Sequence, residues 1–450
     1  MTSRRSSADS LADPTQLPAG DAGAIRRNSL WNACQQVANL ANGSLFSIAL
    51  AWVLPLDEYG VYSYAISLLT LGVAVTTAGL NGLGIKYCAA AGDRGGRVVA
   101  TILLIREMFA LAAFLVLGAI SFTSHDSVTV AATFFALITL FFRALDAPEV
   151  WYMAHLRSRR TASVRLVTVA VMVVIRLVSL FVLPDLWVFI GIYLVEVAVM
   201  SVWILLRFRS DPDTPALEWP RSPETRSMMR ESSPLALSGI ADQINLRADI
   251  LIIQPILGSA AVGIYSLATR FSELAYFLPI VIMNATLPVL LKALAEARQT
   301  GSDVGYRQLL QTAYNRAAAG GFAVAAVVTA ICLSPLTNYV KPEMQPVFGV
   351  LAVHIWASPF VFMGAVYSKW IIAEGFLWSS LVRHSLGAVV NVALVFALLP
   401  RLGLVGAAWA SVISYAAANY VACFVGSRSR RQGICMTRAL FGPVLLLWLL

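Results

Sequence analysis

The chain has 450 residues, of which 58% are hydrophobic and only 13% charged, with a formal net charge of +9. About a quarter of the residues of a soluble domain are charged, so this composition excludes a water-soluble globular protein and points to a chain solvated mainly by lipid. No basic, aromatic-interleaved soluble module accompanies the positive surplus, which argues against nucleic acid and assigns the charge to a surface facing anionic membrane lipid.

Residues 1–28 carry Ser, Asp, Pro and Arg without an apolar core. They read as a disordered cytoplasmic tail and not as a cleavable signal peptide. At about 20 residues per crossing, twelve spans follow. The first six are 29–53, 62–84, 98–120, 128–150, 164–183 and 186–206; the second six are 234–257, 262–287, 313–333, 346–368, 383–399 and 404–425. The polar segment 207–233, with four prolines, reads as a cytoplasmic linker between an N-lobe (29–206) and a C-lobe (234–425). Residues 292–311 suggest a surface helix and a turn before the ninth span. Residues 426–450 form a basic segment and an apolar run half long enough to cross, either an interfacial stub or the start of a further span.

Counted over alternate loops, 25 of the 33 Lys and Arg fall on one side and only Lys341 and Arg401 on the other. The positive-inside rule then places both ends of the twelve-span core on the cytoplasmic side. The five cysteines have neither disulfide nor metal-ligand spacing. No cofactor motif is present, and the absence of a Walker A pattern argues against a nucleotide partner.

Segments 54–65 and 257–268 share the frame L-x5-G-[V/I]-Y-S-x-A, pairing Gly60 with Gly263 and Tyr62 with Tyr265. With six spans in each half, the repeats enter the membrane in the same sense, a parallel arrangement about the membrane normal. The duplicated glycine suggests a tight turn into a helix, and the tyrosine an anchor at the outer interface.

Polar groups inside spans mark where lipid is not the neighbour. Span one carries Asn28, Asn32, Gln35, Gln36, Asn39 and Asn42 along one helical stripe, facing either a wet cavity or another helix. Arg106, Arg176, Arg247 and Arg270 lie too deep to snorkel, with Glu107, Glu196, Asp242, Asp249 and Glu273 among the embedded carboxylates. A hairpin turn centred between residues 259 and 260 matches Asp249 with Arg270 in depth, and brings Arg247 within a residue of Glu273. Arg176 and Glu196 match in the preceding hairpin. Asp242, Asn245 and Asp249 share one face of span seven. The carboxylates Asp242, Asp249 and Glu273 are candidate ion-coupling residues, and the arginines candidates for an anionic headgroup.

The stretch 241–290, with Asp242, the turn LGSAAVGIY (Gly258, Gly263, Tyr265), Arg270 in A-x-R and Pro288, resembles the central signature of polysaccharide-biosynthesis flippases. Segments RRNSLWNACQQ, ALAWVLPLDEYGVYSYA and 391–415 fit the same family, which belongs to the multidrug/oligosaccharidyl-lipid/polysaccharide (MOP) superfamily. The resemblance implies an all-α polytopic membrane protein of about 12 helices in two six-helix lobes around a central cavity. It implies a non-enzymatic flippase moving undecaprenyl-pyrophosphate-linked oligosaccharide from the inner to the outer leaflet, with a polymerase and other polysaccharide-assembly proteins as partners. By resemblance Arg270 contacts pyrophosphate, while Arg247, Arg106 and the amides Asn32, Gln35, Asn39 and Asn42 complete the cavity. The amide-rich span one departs from the basic one of the peptidoglycan-precursor branch, favouring an exopolysaccharide or O-antigen-type cargo. A drug exporter of the same superfamily and a polytopic glycosyltransferase or repeat-unit polymerase are the alternatives.

Overall fold

The computed structural model describes residues 43 and 45–448. Sixteen α-helices occupy them, and their order follows the hydropathy. After the short α1 (Phe46–Val53), α2 (Leu56–Thr77) and α3 (Leu80–Ala90) form one broken crossing, followed by α4 (Gly95–Ser121). The fourth crossing is fragmented into α5 (Ser127–Leu137), α6 (Thr139–Ala144) and α7 (Pro148–Ala154); α8 (Arg159–Val182) and α9 (Leu186–Ser210) complete the first half. The second half contains α10 (Ser222–Leu257), α11 (Ser259–Thr300), α12 (Val304–Leu333), α13 (Gln345–His354), α14 (Ser358–Glu374), α15 (Leu377–Asn419) and α16 (Arg430–Trp448).

Nine helical stretches among the described residues are long and apolar enough to cross a membrane. One of these, Trp378–Phe424, is two limbs. Gly403, at φ 59° and ψ −146°, reverses the chain in a region of backbone space open almost only to glycine. Gly387 then meets Ala418, and Gly406 meets Leu398. α10 makes a further long helix beside α11, its mean hydropathy lowered by its charged first half.

The helices invert the usual amphipathic pattern. On α8, Val174 and Phe181 are 59% and 86% exposed, whereas Arg165 and Arg176 are 5% and 3% exposed. The buried face, Thr161, Arg165, Thr168, Met172, Arg176 and Leu180, recurs every three or four residues. Lipid solvates the apolar stripe, and the polar groups satisfy one another inside. Helix starts in the loops are capped conventionally: Asp126 accepts from the Val128 and Thr129 amides, and Asp185 from those of Trp187 and Val188.

Several local expectations change. The linker is shorter than 207–233, because α9 runs to Ser210 and α10 begins at Ser222, with Pro223 and Glu224 in its first turn. The remaining strand is pinned to the first half by ion pairs of Arg157 with Asp213 (3.0 Å), Arg160 with Asp211 and Arg97 with Glu218. No separate surface helix precedes the ninth span: α11 continues to Thr300 and turns at Gly301. The basic segment and the last apolar run are joined in the single helix α16.

The duplicated glycines do not make turns. Gly60 and Gly263 lie inside α2 and α11, where these helices cross. A Cβ at Gly60 would stand 1.8 Å from the Ser259 carbonyl oxygen, and one at Gly263 2.2 Å from that of Leu56. The repeat is therefore a reciprocal contact between the halves, made possible by the missing side chains. The turn is Gly258 alone, at φ 80° and ψ 179°. Nor are the tyrosines at a water interface: Tyr62 is 7% and Tyr265 0% exposed. Buried hydroxyls need partners, and the Tyr265 hydroxyl has found one inside the protein.

Candidate functional site

Where α10 and α11 run side by side, Glu273 accepts from both Arg247 (3.0 Å) and Arg270 (2.8 Å). Two guanidinium groups on one carboxylate leave a net positive charge at membrane depth. The three side chains retain 12%, 15% and 23% exposure, so the cluster is not sealed in the protein interior. In the first half, Arg176 pairs with Glu196 and lies over the Phe46 ring, 5.0 Å from its centroid.

Asp249 is not paired with Arg270, contrary to the depth matching. Two residues along a helix rotate a side chain by about 200°, so Arg247 and Asp249 leave α10 on different sides. Arg247 reaches Glu273; Asp249 accepts from the Tyr265 hydroxyl (2.5 Å), the Ser411 hydroxyl (3.2 Å) and the Ile250 amide (2.8 Å). The four charges that the hairpin set at matching depths are therefore two separate groups. The stripe Asp242, Asn245, Asp249 lies against α15 along its length. Asp242 meets His384 Nδ1 at 2.7 Å, the Asn391 amide donates to the Asn245 carbonyl at 2.9 Å, and Ser411 donates to Asp249.

Replacing Tyr265 with Phe removes one of three donors to the 4%-exposed Asp249. Its loss is expected to lower stability by about 1.5–3 kcal/mol, the range for hydrogen bonds to charged groups, read as a drop in the thermal unfolding midpoint in detergent.

Sequence reasoning missed His354, which is 3% exposed. Its ring stacks on Tyr276 and stands edge-on to Tyr265 and Tyr415. The Tyr276 hydroxyl donates to the His354 carbonyl at 3.2 Å. This aromatic group adjoins the Asp249 cluster through Tyr265. A lone histidine inside an apolar run was the available signal. Toward the other end of α10, Asp242 and His384 line a cavity of about 540 Å³ with Glu231, Ser238 and Trp378.

Arg106 departs from its expected place in the cavity. It is 2% exposed and donates to Asp146 (2.6 Å) and Asn81 (2.7 Å). Asp146 also pairs with Arg165 (3.1 Å) and Arg143 (3.5 Å), and Arg165 with Glu149. The fragmented fourth crossing carries these carboxylates into the first half, where the arginine finds them before it finds a hollow. Asp146→Asn would leave the buried Arg106 guanidinium without a carboxylate partner among the described residues, while Arg165 keeps Glu149. The expected loss is about 3–5 kcal/mol, measured by thermal unfolding. Asn32, Gln35, Asn39 and Asn42 lie outside the described residues.

The fold is that of an all-α polytopic membrane protein, with nine membrane-length apolar helical stretches among the described residues. The family described as "Polysaccharide biosynthesis protein" matches residues 25–294, and the chain belongs to it. No curated protein sequence matches the chain. Among solved structures it is similar to a lipid II flippase MurJ in an inward closed conformation, at 14% identity and TM-score 0.67, covering 92% of this chain and 90% of that one. An inward-facing multidrug resistance MATE family transporter of the MOP superfamily matches at 16% identity and TM-score 0.67, covering 90% and 96%. The MATE multidrug transporter DinF-BH matches at 14% identity and TM-score 0.64, covering 92% and 96%. At such identities these likenesses establish the fold.

Proposed function

We propose that the protein is a flippase that carries an undecaprenyl-pyrophosphate-linked oligosaccharide from the inner to the outer leaflet of a bacterial cytoplasmic membrane, for exopolysaccharide or O-antigen-type assembly. The observation that carries this reading is the Arg247–Glu273–Arg270 cluster, part-exposed and positive by one charge beside the α2–α11 crossing. A pyrophosphate and several sugars cannot enter hydrocarbon without losing their hydrogen bonds; a positive, hydrated cleft replaces them, and the prenyl chain stays in lipid. Membership of the polysaccharide-biosynthesis family supports the cargo.

In this reading Arg270 and Arg247 receive the pyrophosphate, with the span-one amides Asn32, Gln35, Asn39 and Asn42 offering hydrogen bonds to sugars. Arg106 serves the packing of the first half. Asp242, Asp249 and Glu273 couple the cycle to an ion gradient, which supplies about 2.3 kcal/mol per charge per 100 mV. The lysine- and arginine-rich face is cytoplasmic, and a polymerase takes the product on the opposite side. Transport without chemistry is the role assigned, not catalysis.

The test is complementation of a deletion strain with Arg270→Gln. Lipid-linked oligosaccharide is expected to accumulate on the cytoplasmic leaflet, with polymer output down about tenfold, equivalent to about 1.4 kcal/mol of lost stabilisation. Unchanged polymer output, or restored drug resistance in a sensitised strain with no effect on polysaccharide, overturns the cargo and favours a drug exporter.

A further inference from the structure

Away from the two-lobe contact, a second cavity of about 920 Å³ opens between the end of α11, the start of α12, the end of α14 and α16. Its wall carries five arginines, Arg298, Arg307, Arg428, Arg431 and Arg438, against two carboxylates, Asp303 and Glu374. Both carboxylates are already engaged: Asp303 pairs with Arg307, and Glu374 accepts from Arg298 (3.5 Å) and the Tyr306 hydroxyl (3.2 Å). Arg428, Arg431 and Arg438 have no carboxylate partner among the described residues. Arg428 lies over the Phe376 ring, 5.0 Å from its centroid. Gln432, 5% exposed in the same wall, has a side-chain oxygen without a hydrogen-bond partner.

We propose that this cavity is a binding site for the phosphate headgroup of an anionic phospholipid, distinct from the transport path. The three uncompensated guanidinium groups match phosphate oxygens in geometry and charge. Basic pockets between membrane helices at the positively charged face are where anionic headgroups gather. The position selects a lipid over a soluble anion, because α16 runs from Arg430 and Arg431 into the apolar stretch 439–448. Ile434 and Phe441 on that helix remain 43% and 51% exposed, an apolar flank for acyl chains beside the basic wall. In this arrangement the last helix is held to α12 partly through a bound lipid, alongside the bond from Gln311 to the Cys435 carbonyl (3.0 Å).

The test is native mass spectrometry of the full chain in detergent, titrated with phosphatidylglycerol, with phosphatidylcholine, and with inorganic pyrophosphate as the free-phosphate probe. Phosphatidylglycerol adducts are expected to exceed phosphatidylcholine adducts by about fivefold per engaged arginine, and to fall to the phosphatidylcholine level in R428Q/R431Q/R438Q. Equal phosphatidylglycerol binding by wild type and variant overturns the site. Tight pyrophosphate binding without lipid preference makes it a soluble-anion site and overturns the lipid assignment. Should the triple variant not fold, a photoactivatable phosphatidylglycerol on the wild-type protein decides: cross-links within 303–311 and 428–438 support the site, and cross-links confined elsewhere reject it.

Discussion

Gly60→Ala and Gly263→Ala should each prise apart the two halves of the protein. Every atom that a new Cβ would meet first belongs to backbone: the Ser259 carbonyl at 1.8 Å and the Leu56 carbonyl at 2.2 Å. A flexible side chain could swing aside, but a carbonyl in a helix moves only with its helix, so α2 and α11 must separate. Overpacking of this kind costs about 1–3 kcal/mol, and the double variant should lose more than either single one. The control is Gly349→Ala in α13, where nothing stands within 4 Å of the added carbon. There the substitution should raise stability by about 0.5–1 kcal/mol, since alanine favours a helix. Thermal unfolding in detergent reads both effects. A cysteine probe at Leu54, 4% exposed at this crossing, should label faster in either variant than in wild type, in a background without the native cysteines. Equal midpoints for all three substitutions would show that the crossing tolerates separation.

The second large effect concerns the shared carboxylate, and it separates stability from transport. Glu273→Gln removes the partner of both Arg247 and Arg270 at once. Breaking a fully buried pair costs about 3–5 kcal/mol; with these side chains 12–23% exposed, solvent screening reduces the expected loss to about 1–3 kcal/mol. Arg270→Gln is different, because Arg247 still pairs with Glu273. Its unfolding midpoint should stay near that of wild type while polymer output falls. The double variant Arg270→Gln/Glu273→Gln should recover part of the stability that Glu273→Gln loses, with only one guanidinium left uncompensated. A double-mutant cycle therefore expects clear non-additivity in unfolding. Additive losses would mean that the arginines act independently of Glu273.

The two predictions differ in how much of their basis was legible in the chain. Arg247 and Glu273 could be paired from hairpin arithmetic, because both side chains are long and a one-residue error in the turn is within their reach. Asp249 could not. Its short side chain depends on which way α10 is rotated, and that rotation is set by the fit of Asn245 and Ser411 along α15. Arg106 failed for a related reason: its partner Asp146 comes from a crossing broken into three helices, a break that hydropathy does not report. The repeat around Gly60 and Gly263 was visible as a pattern, but the same two glycines read as turns until the helices carrying them were seen to cross.

What the chain determined unaided was its solvent, the places where it crosses the membrane, and the costly polar groups that must be kept from lipid. These follow from transfer free energies, which each segment carries whatever its neighbours are. Which of those groups meet, which face a hollow and which lock the halves together was decided only by tertiary structure. Helix rotation and the close approach of backbones some 200 residues apart depend on packing against partners that no local stretch specifies.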